Sequence, residues 1–177
     1  MINASEILNA KVLIVDDQQS NVLLLEKILQ DVGYTHVTST MDPHAVAALH
    51  RENRYDLILL DLQMPGLDGF HVMENLKTIE TESYIPVLVI TAQPAHKLRA
   101  LQAGAKDFVS KPFDLTEVKT RIHNMLEVRL LHRKLENYNK VLEQTVQERT
   151  AELRESEARF RALTELASDW YWESDEN

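Results

Sequence analysis

The sequence contains no cysteine, which excludes disulfide bonds, thiolate nucleophiles and cysteine-ligated zinc. Basic residues are outnumbered by acidic ones, and a net charge of −9 argues against a nucleic-acid binder, because a phosphate backbone selects for a basic surface. No apolar run approaches the roughly 20 residues that a membrane span needs, and the first residues lack the pattern of a secretory signal. We therefore expect a cytoplasmic protein that binds neither nucleic acid nor membrane.

Glycine and proline are also scarce, and they are unevenly placed. The 177 residues include 4 glycines and 5 prolines, and none of them follows Pro112. Because these residues mark turns, the part up to Pro112 is expected to form a compact domain with many turns. The remainder of the chain is expected to continue as helix with little interruption.

Up to Pro112, patterns typical of strands alternate with helical patterns. The strands are expected at 11–15, 36–40, 57–60, 86–90 and 107–109. Three of these segments are strongly apolar, as strands buried on both faces are. The alternation predicts an α/β fold with an open, mostly parallel sheet and helices on both faces. In such sheets, ligands bind beyond the carboxyl ends of the strands.

Polar side chains follow several of these predicted strands. Asp16 and Asp17 end the first strand, Asp61 ends the third, Thr91 ends the fourth, and Lys111 comes soon after the fifth. One such aspartate alone is usually a helix cap, but here three carboxylates, a hydroxyl and an ammonium would meet at one sheet edge. Clustered carboxylates need a counter-charge, and Mg²⁺ prefers oxygen ligands of this kind. The set is suited to phosphoryl transfer onto an aspartate.

Segments 12–17, 61–69, 90–92 and 103–113 resemble the receiver domain of bacterial two-component response regulators, and the resemblance covers about residues 10–128. It implies a flavodoxin-like, doubly wound parallel sheet of five strands in the order 2-1-3-4-5. It also implies that the chain is not an enzyme with a separate substrate. A receiver catalyses only its own phosphorylation and dephosphorylation.

The same resemblance assigns the phosphoacceptor and the metal ligands. It makes Asp61 the acceptor of a phosphoryl group from the phosphohistidine of a sensor histidine kinase or phosphotransfer protein. Mg²⁺ would be bound by Asp61, by Asp17 directly and by Asp16 directly or through water. The backbone carbonyl of Gln63 would complete the protein ligands.

Four further positions match the receiver pattern. Thr91 and Lys111 would contact the phosphoryl group, and the Lys111–Pro112 peptide bond would be cis. Phe108 occupies the position of the aromatic switch, whose ring turns inward when Thr91 moves toward the phosphate. The alternative for Phe108 is an ordinary core phenylalanine.

From residue 115 the apolar residues recur in steps of three and four, which is typical of a coiled-coil seam. The steps 138–142–146 are two fours, a stutter at which a supercoil unwinds locally. A helix over 114–167 would be roughly 80 Å long, and a receiver could not cover its far half. We expect a parallel homodimer through residues 115–167. The alternative is a tail that folds back on its own receiver.

Residues 147–153 resemble the connector called a signalling helix, and residues 157–163 together with 169–173 are similar to the opening of a PAS sensor domain. We therefore expect three segments: a receiver at 10–128, a coiled-coil signalling helix at 129–167, and the beginning of a PAS-like output domain at 168–177. The chain is thus expected to be the N-terminal piece of a larger protein, whose output it controls. Two alternatives remain, a purely structural dimerisation module and an aspartyl-phosphate-forming phosphatase. Such phosphatases usually have a second aspartate at the position of Gln63, which argues against the latter.

Overall fold

The computed structural model describes residues 2–65, 68–79, 85–93 and 96–173, with side-chain surroundings as far as residue 165. Contacts divide the chain into two units, Met1–Arg133 and Lys134–Asn177. Of the predicted PAS-like segment, the last four residues and all side chains lie outside the described part.

The first unit is built on one parallel sheet. Its strands are β1 (Lys11–Val15), β2 (His36–Thr40), β3 (Leu57–Asp61), β4 (Val87–Thr91) and β5 (Asp107–Ser110). They are ordered β2-β1-β3-β4-β5, and all four neighbouring pairs are parallel. This confirms the predicted α/β class and strand order. Every residue of β3 and β4 is buried, as expected for central strands covered on both faces.

Helices connect the strands. They are α1 (Ala4–Leu8), α2 (Gln19–Val32), α3 (Val46–Asn53), α4 (Gly69–Ile79), α5 (His96–Ala103) and α6 (Leu115–Glu173). A 3₁₀ turn at Pro43–Ala45 precedes α3. Helix α1 was not predicted from the sequence; Asn3 caps it, and Ile7 is its one buried residue.

Two apolar layers, one on each face of the sheet, form the core. Alternate residues of a strand point to opposite faces, so Val12 and Ile14 belong to one layer and Leu13 and Val15 to the other. The first layer is closed by α2 and α6, and the second by α3, α4 and α5. The continuous apolar runs of the central strands reflect this burial on both sides.

Helix α6 begins where the sequence indicates. The Asp114 carboxylate accepts hydrogen bonds from the N–H groups of Thr116 and Glu117 at 2.7 and 3.0 Å, which satisfies two free donors of the first turn. Within the first unit, one face of α6 is buried against the sheet. Its apolar members are Val118, Ile122, Met125, Leu126 and Leu130.

In the second unit, α6 exposes its large apolar side chains. They are Leu135, Tyr138, Val141, Leu142, Val146, Leu153, Phe160 and Leu163. The predicted long C-terminal helix is therefore present, and its apolar residues keep the spacing that indicated a seam. Among the described residues, no helix combines the length and apolar composition that crossing a bilayer requires.

Candidate functional site

The carboxyl ends of four neighbouring strands bring the predicted polar residues to one edge of the sheet. Asp61 and Thr91 are the last residues of β3 and β4, and Asp16 directly follows β1. Thr91 is paired in register with Ser110, next to which Lys111 lies. Because parallel strands end at the same edge, residues far apart in sequence become neighbours here.

Three carboxylates form the centre of this edge. Asp16, Asp17 and Asp61 each offer one oxygen, and these oxygens lie within 4.8 Å of one another. Asp16 and Asp61 are buried, with 1% and 3% of their surface exposed, whereas Asp17 is half-buried. The Oδ1 atom of Asp17 is nevertheless inaccessible to solvent and has no hydrogen-bond donor. A buried acceptor without a protein donor is a position that a water molecule or a cation can fill.

Lys111 supplies positive charge to two of the three carboxylates. Its Nζ atom donates to Asp61 Oδ2 at 2.8 Å and to Asp16 Oδ2 at 3.0 Å. The backbone N–H of Lys111 donates to the carbonyl of Thr91 at 2.9 Å, which ties the loop after β5 to the end of β4. The Lys111–Pro112 peptide bond is cis.

The pKa values of Asp61 and Lys111 are both shifted from their ordinary values. Burial raises the pKa of Asp61, and the charge of Asp16 adds to the effect, while hydrogen bonds from Lys111 and the Gln63 N–H lower it by less. Burial lowers the pKa of Lys111, but hydrogen bonds and attraction from Asp61 and Asp16 outweigh it and leave the pKa raised. Lys111 is thus charged at neutral pH, whereas burial makes the charged form of Asp61 less favourable than it is in water.

The loop after β3 is shaped by two of its own residues. The N–H of Gln63 donates to Asp61 Oδ1 at 3.1 Å, which orients the carboxylate, while the Gln63 side chain is exposed. Gly69 begins α4 so close to the end of β3 that a Cβ atom would lie 2.7 Å from the Asp61 carbonyl. Only glycine fits this approach without a shift of backbone.

Thr91 and Phe108 occupy neighbouring strands. Thr91 is fully buried, and its hydroxyl accepts a hydrogen bond from the Gln93 N–H at 3.1 Å. Phe108 is half-buried and packs against the second apolar layer, with Lys97 Nζ 4.8 Å from its ring centroid. Phe108 therefore has both core contacts and an accessible edge, a combination compatible with either expectation for it.

One contact residue was missed in the sequence. Asn21, in the first turns of α2, donates from Nδ2 to both carboxylate oxygens of Asp16 at 3.0 Å. The Gln18 N–H donates to Asp16 Oδ1 at 2.9 Å. The available signal was a polar side chain on a helix that starts directly after the aspartate pair.

Comparisons with known proteins identify relatives of the first unit. Response regulator PleD of Caulobacter vibrioides is 37% identical over 126 residues, which cover 70% of this chain. Chemotaxis protein CheY-3 of Vibrio cholerae is 28% identical over 121 residues, which cover 67% of this chain and 93% of CheY-3. The chain spans only 28% of the length of PleD.

A solved structure adds a relative with a bound metal. The receiver domain of sensor histidine kinase PA1611 from Pseudomonas aeruginosa aligns with a TM-score of 0.62 and 28% identity. The alignment covers 67% of this chain and 98% of that domain, which holds a magnesium ion in its active-site cleft. The family described as response regulator receiver domain matches residues 12–123 of the 177, on the same sheet and strand ends. The chain therefore belongs to the response regulator receiver domain family.

Proposed function

We propose that Asp61 accepts a phosphoryl group from the phosphohistidine of a sensor histidine kinase or phosphotransfer protein. The observation that carries this proposal is the convergence of Asp16, Asp17 and Asp61 within 4.8 Å, with Lys111 bonded to two of them. An Asp61 oxygen attacks the phosphorus, the donor's P–N bond breaks, and the electron pair leaves with the imidazole, which takes up a proton. The similarity to PleD and CheY-3 supports this role.

The donor set fits a magnesium ion. Asp17 Oδ1 is a buried acceptor without a donor, and burial together with the charge of Asp16 raises the pKa of Asp61, an effect that a cation would offset. In our proposal Asp17, Asp61 and the Gln63 carbonyl are direct ligands, whereas Asp16, already bonded by three protein groups, acts through water. When bound, Mg²⁺ supplies charge neutralisation at the phosphoryl oxygens. The magnesium in the PA1611 receiver domain supports this assignment.

Thr91 and Lys111 would hold the phosphoryl oxygens. The Lys111 ammonium turns from the carboxylates to a phosphoryl oxygen as a point charge, and the Thr91 hydroxyl donates to another. The hydroxyl can keep accepting from the Gln93 N–H while its own hydrogen is donated, so the reaction requires only that Thr91 move toward the phosphoryl group. This movement opens space beside β5, and the half-buried Phe108 ring turns inward to fill it.

Labelling with acetyl phosphate tests the acceptor. Asp61→Asn should abolish phosphoprotein formation on a phosphate-affinity gel, because an amide oxygen is a much poorer nucleophile than a carboxylate. The matched control is Asp68→Asn on the same loop, where the carboxylate caps α4 through the Phe70 N–H at 3.1 Å. Asp68→Asn should label like the parent chain. Undiminished labelling of Asp61→Asn would refute the assignment.

The proposal extends to a parallel homodimer through residues 115–167. The row of exposed apolar residues on α6 supports it, since a helix that leaves such a row in water gains by burying it against a second copy. We propose the boundaries 10–128 for the receiver, 129–167 for the coiled coil and 168–177 for the start of an output domain. Phosphorylation would alter packing of the coiled coil and thereby control the output, in the cytoplasm.

Single-cysteine cross-linking tests the dimer cleanly, because the chain has no cysteine of its own. Leu135→Cys and Leu153→Cys, at two separate positions of the seam, should both form intermolecular disulfides under mild oxidation. Glu136→Cys and Arg154→Cys, their neighbours off the seam, are the matched controls. Cross-linking at neither seam position would refute the parallel dimer, and a dimer unaffected by phosphorylation would favour a purely structural module.

A further inference from the structure

Asp16 differs from Asp17 in how completely its carboxylate is bonded. Its two oxygens accept hydrogen bonds from the Gln18 N–H, from Asn21 Nδ2 and from Lys111 Nζ, at 2.9 to 3.0 Å. Asp16 is also 1% exposed, so bulk water contributes little to its solvation. The orientation of this carboxylate is therefore set by protein donors.

These donors are not equivalent in function. Lys111 is shared between Asp16 and Asp61, and in the proposed reaction it turns to a phosphoryl oxygen. Asn21 has no such second task, and its amide carries no charge. Its nitrogen must face Asp16, because the amide oxygen in that place would oppose two acceptors. When Lys111 leaves, Asn21 and the Gln18 N–H remain to hold Asp16.

The position of Asn21 is set by helix α2 and not by the loop that precedes this helix. It lies in the first turn of α2, whose N-terminal residues Gln19 and Ser20 are exposed. One residue later Val22 is buried in the first apolar layer, which fixes the rotation of the helix about its axis. The position of the amide is thus coupled to the core and is independent of the ligands at the sheet edge.

We propose that Asn21 is a positioning residue that holds the Asp16 carboxylate for Mg²⁺ and leaves Lys111 free to move to the phosphoryl group. The proposal rests on the proposed phosphoacceptor function. Residues that orient a metal-binding group through a hydrogen bond typically change metal affinity by 10- to 100-fold when they are removed. Asp16, held in this orientation, would interact with Mg²⁺ through a water molecule, as proposed above.

Isothermal titration of the full chain with MgCl₂, without a phosphodonor, measures the effect directly. Asn21→Ala and Asn21→Leu should each raise the Kd for Mg²⁺ about tenfold. Leucine keeps the size of the side chain and removes only the donor, and alanine favours the helix more than asparagine does. Ser20→Ala, the preceding exposed residue, is the matched control and should leave the Kd within about twofold of the parent value.

Measurements in a chain that already lacks the Asp16 carboxylate distinguish a positioning role of Asn21 from a general structural effect. In an Asp16→Ala chain, Asn21→Ala should leave the Kd unchanged, because the group that Asn21 orients is gone. At saturating Mg²⁺, Asn21→Ala should regain nearly the parent rate of labelling by acetyl phosphate. An unchanged Kd in Asn21→Ala and Asn21→Leu, or an equal rise in the Asp16→Ala background, overturns the role of Asn21. If Asp16→Ala and Asp17→Ala both leave Mg²⁺ binding intact, the proposed metal site itself fails.

Discussion

The receiver domain has one buried charged cluster where its strands begin, the amino edge, and another where they end, the carboxyl edge. The two clusters differ in whether every carboxylate oxygen has a hydrogen-bond donor. At the amino edge, Asp56 precedes β3, and its two oxygens accept from the Lys11 N–H at 3.1 Å and from Arg133 Nη1 at 2.7 Å. Arg129 Nε is 3.8 Å from the same carboxylate. At the carboxyl edge, Asp17 retains a buried oxygen without a donor.

The difference separates a structural cluster from a functional one. Asp56 joins β1, β3 and the receiver part of α6, and each of its oxygens already has a protein donor. The carboxyl edge holds three carboxylates and one ammonium, so it has acceptors left over for a cation and a phosphoryl group. Buried charge alone therefore does not indicate a ligand site; an excess of acceptors does.

The largest predicted change in unfolding free energy comes from a mutation at the amino edge. Asp56→Ala removes a buried carboxylate that accepts hydrogen bonds from the Lys11 N–H and from Arg133. Losing hydrogen bonds to a buried charged group costs about 1.5–3 kcal/mol of unfolding free energy. Urea unfolding at fixed protein concentration measures it.

The control for Asp56→Ala is Glu117→Ala, which breaks an exposed pair with Arg121 on α6. A pair of this kind contributes about 0.5 kcal/mol. Equal losses in the two variants would contradict the view that the Asp56 cluster is structurally important because it is buried.

The two edges were not equally predictable from the sequence. Asp16, Asp61, Thr91 and Lys111 were expected at one edge because strand ends in a parallel sheet converge whatever the details of packing. The contact between Asp56 and Arg133 joins residues 77 positions apart and depends on how α6 crosses the sheet. No local pattern encodes that crossing, so hydrophobic periodicity does not predict this pair.

The same limit applies to Asn21. Hydrophobic spacing predicted α2, but not the rotation that directs one amide at Asp16. Helix α1 was missed for a related reason, since five residues are too short for a periodic pattern to emerge. Elements and strand ends follow from sequence periodicity, whereas side-chain pairs across elements follow only from packing.

Magnesium should raise the unfolding free energy of the parent chain by about 1.4 kcal/mol, and this gain should depend on the carboxyl edge and not on the amino edge. A ligand that binds only the folded state at ten times its Kd raises the unfolding free energy by about this amount. Asp17→Asn should lose most of the gain, because it replaces the carboxylate whose Oδ1 lacks a donor. Asp56→Asn should keep the gain, since both oxygens of Asp56 already have protein donors. Urea unfolding with and without MgCl₂ decides, and a full gain in Asp17→Asn would contradict the assignment of the site.

The smallest predicted effect is a stabilisation of the metal-free chain by Asp61→Asn at neutral pH. Because burial raises the native pKa of Asp61 above 3.8, its ordinary value, the folded state keeps a proton that the unfolded state has released. Between these two pKa values the folded state binds more protons, so the unfolding free energy of the parent falls as pH rises. Above the native pKa the full penalty of the buried charge remains, and the neutral amide avoids it.

Unfolding of both chains across the acidic range measures this difference. The advantage of Asp61→Asn should shrink as pH falls, and it should vanish below 3.8, where the parent carboxyl is protonated in both states. With saturating Mg²⁺ at neutral pH the order should reverse, because the cation stabilises only the chain that keeps the carboxylate. If Asp61→Asn is less stable than the parent without metal, Lys111 already balances the charge at the carboxyl edge. The contrast between this edge and the Asp56 cluster would then disappear.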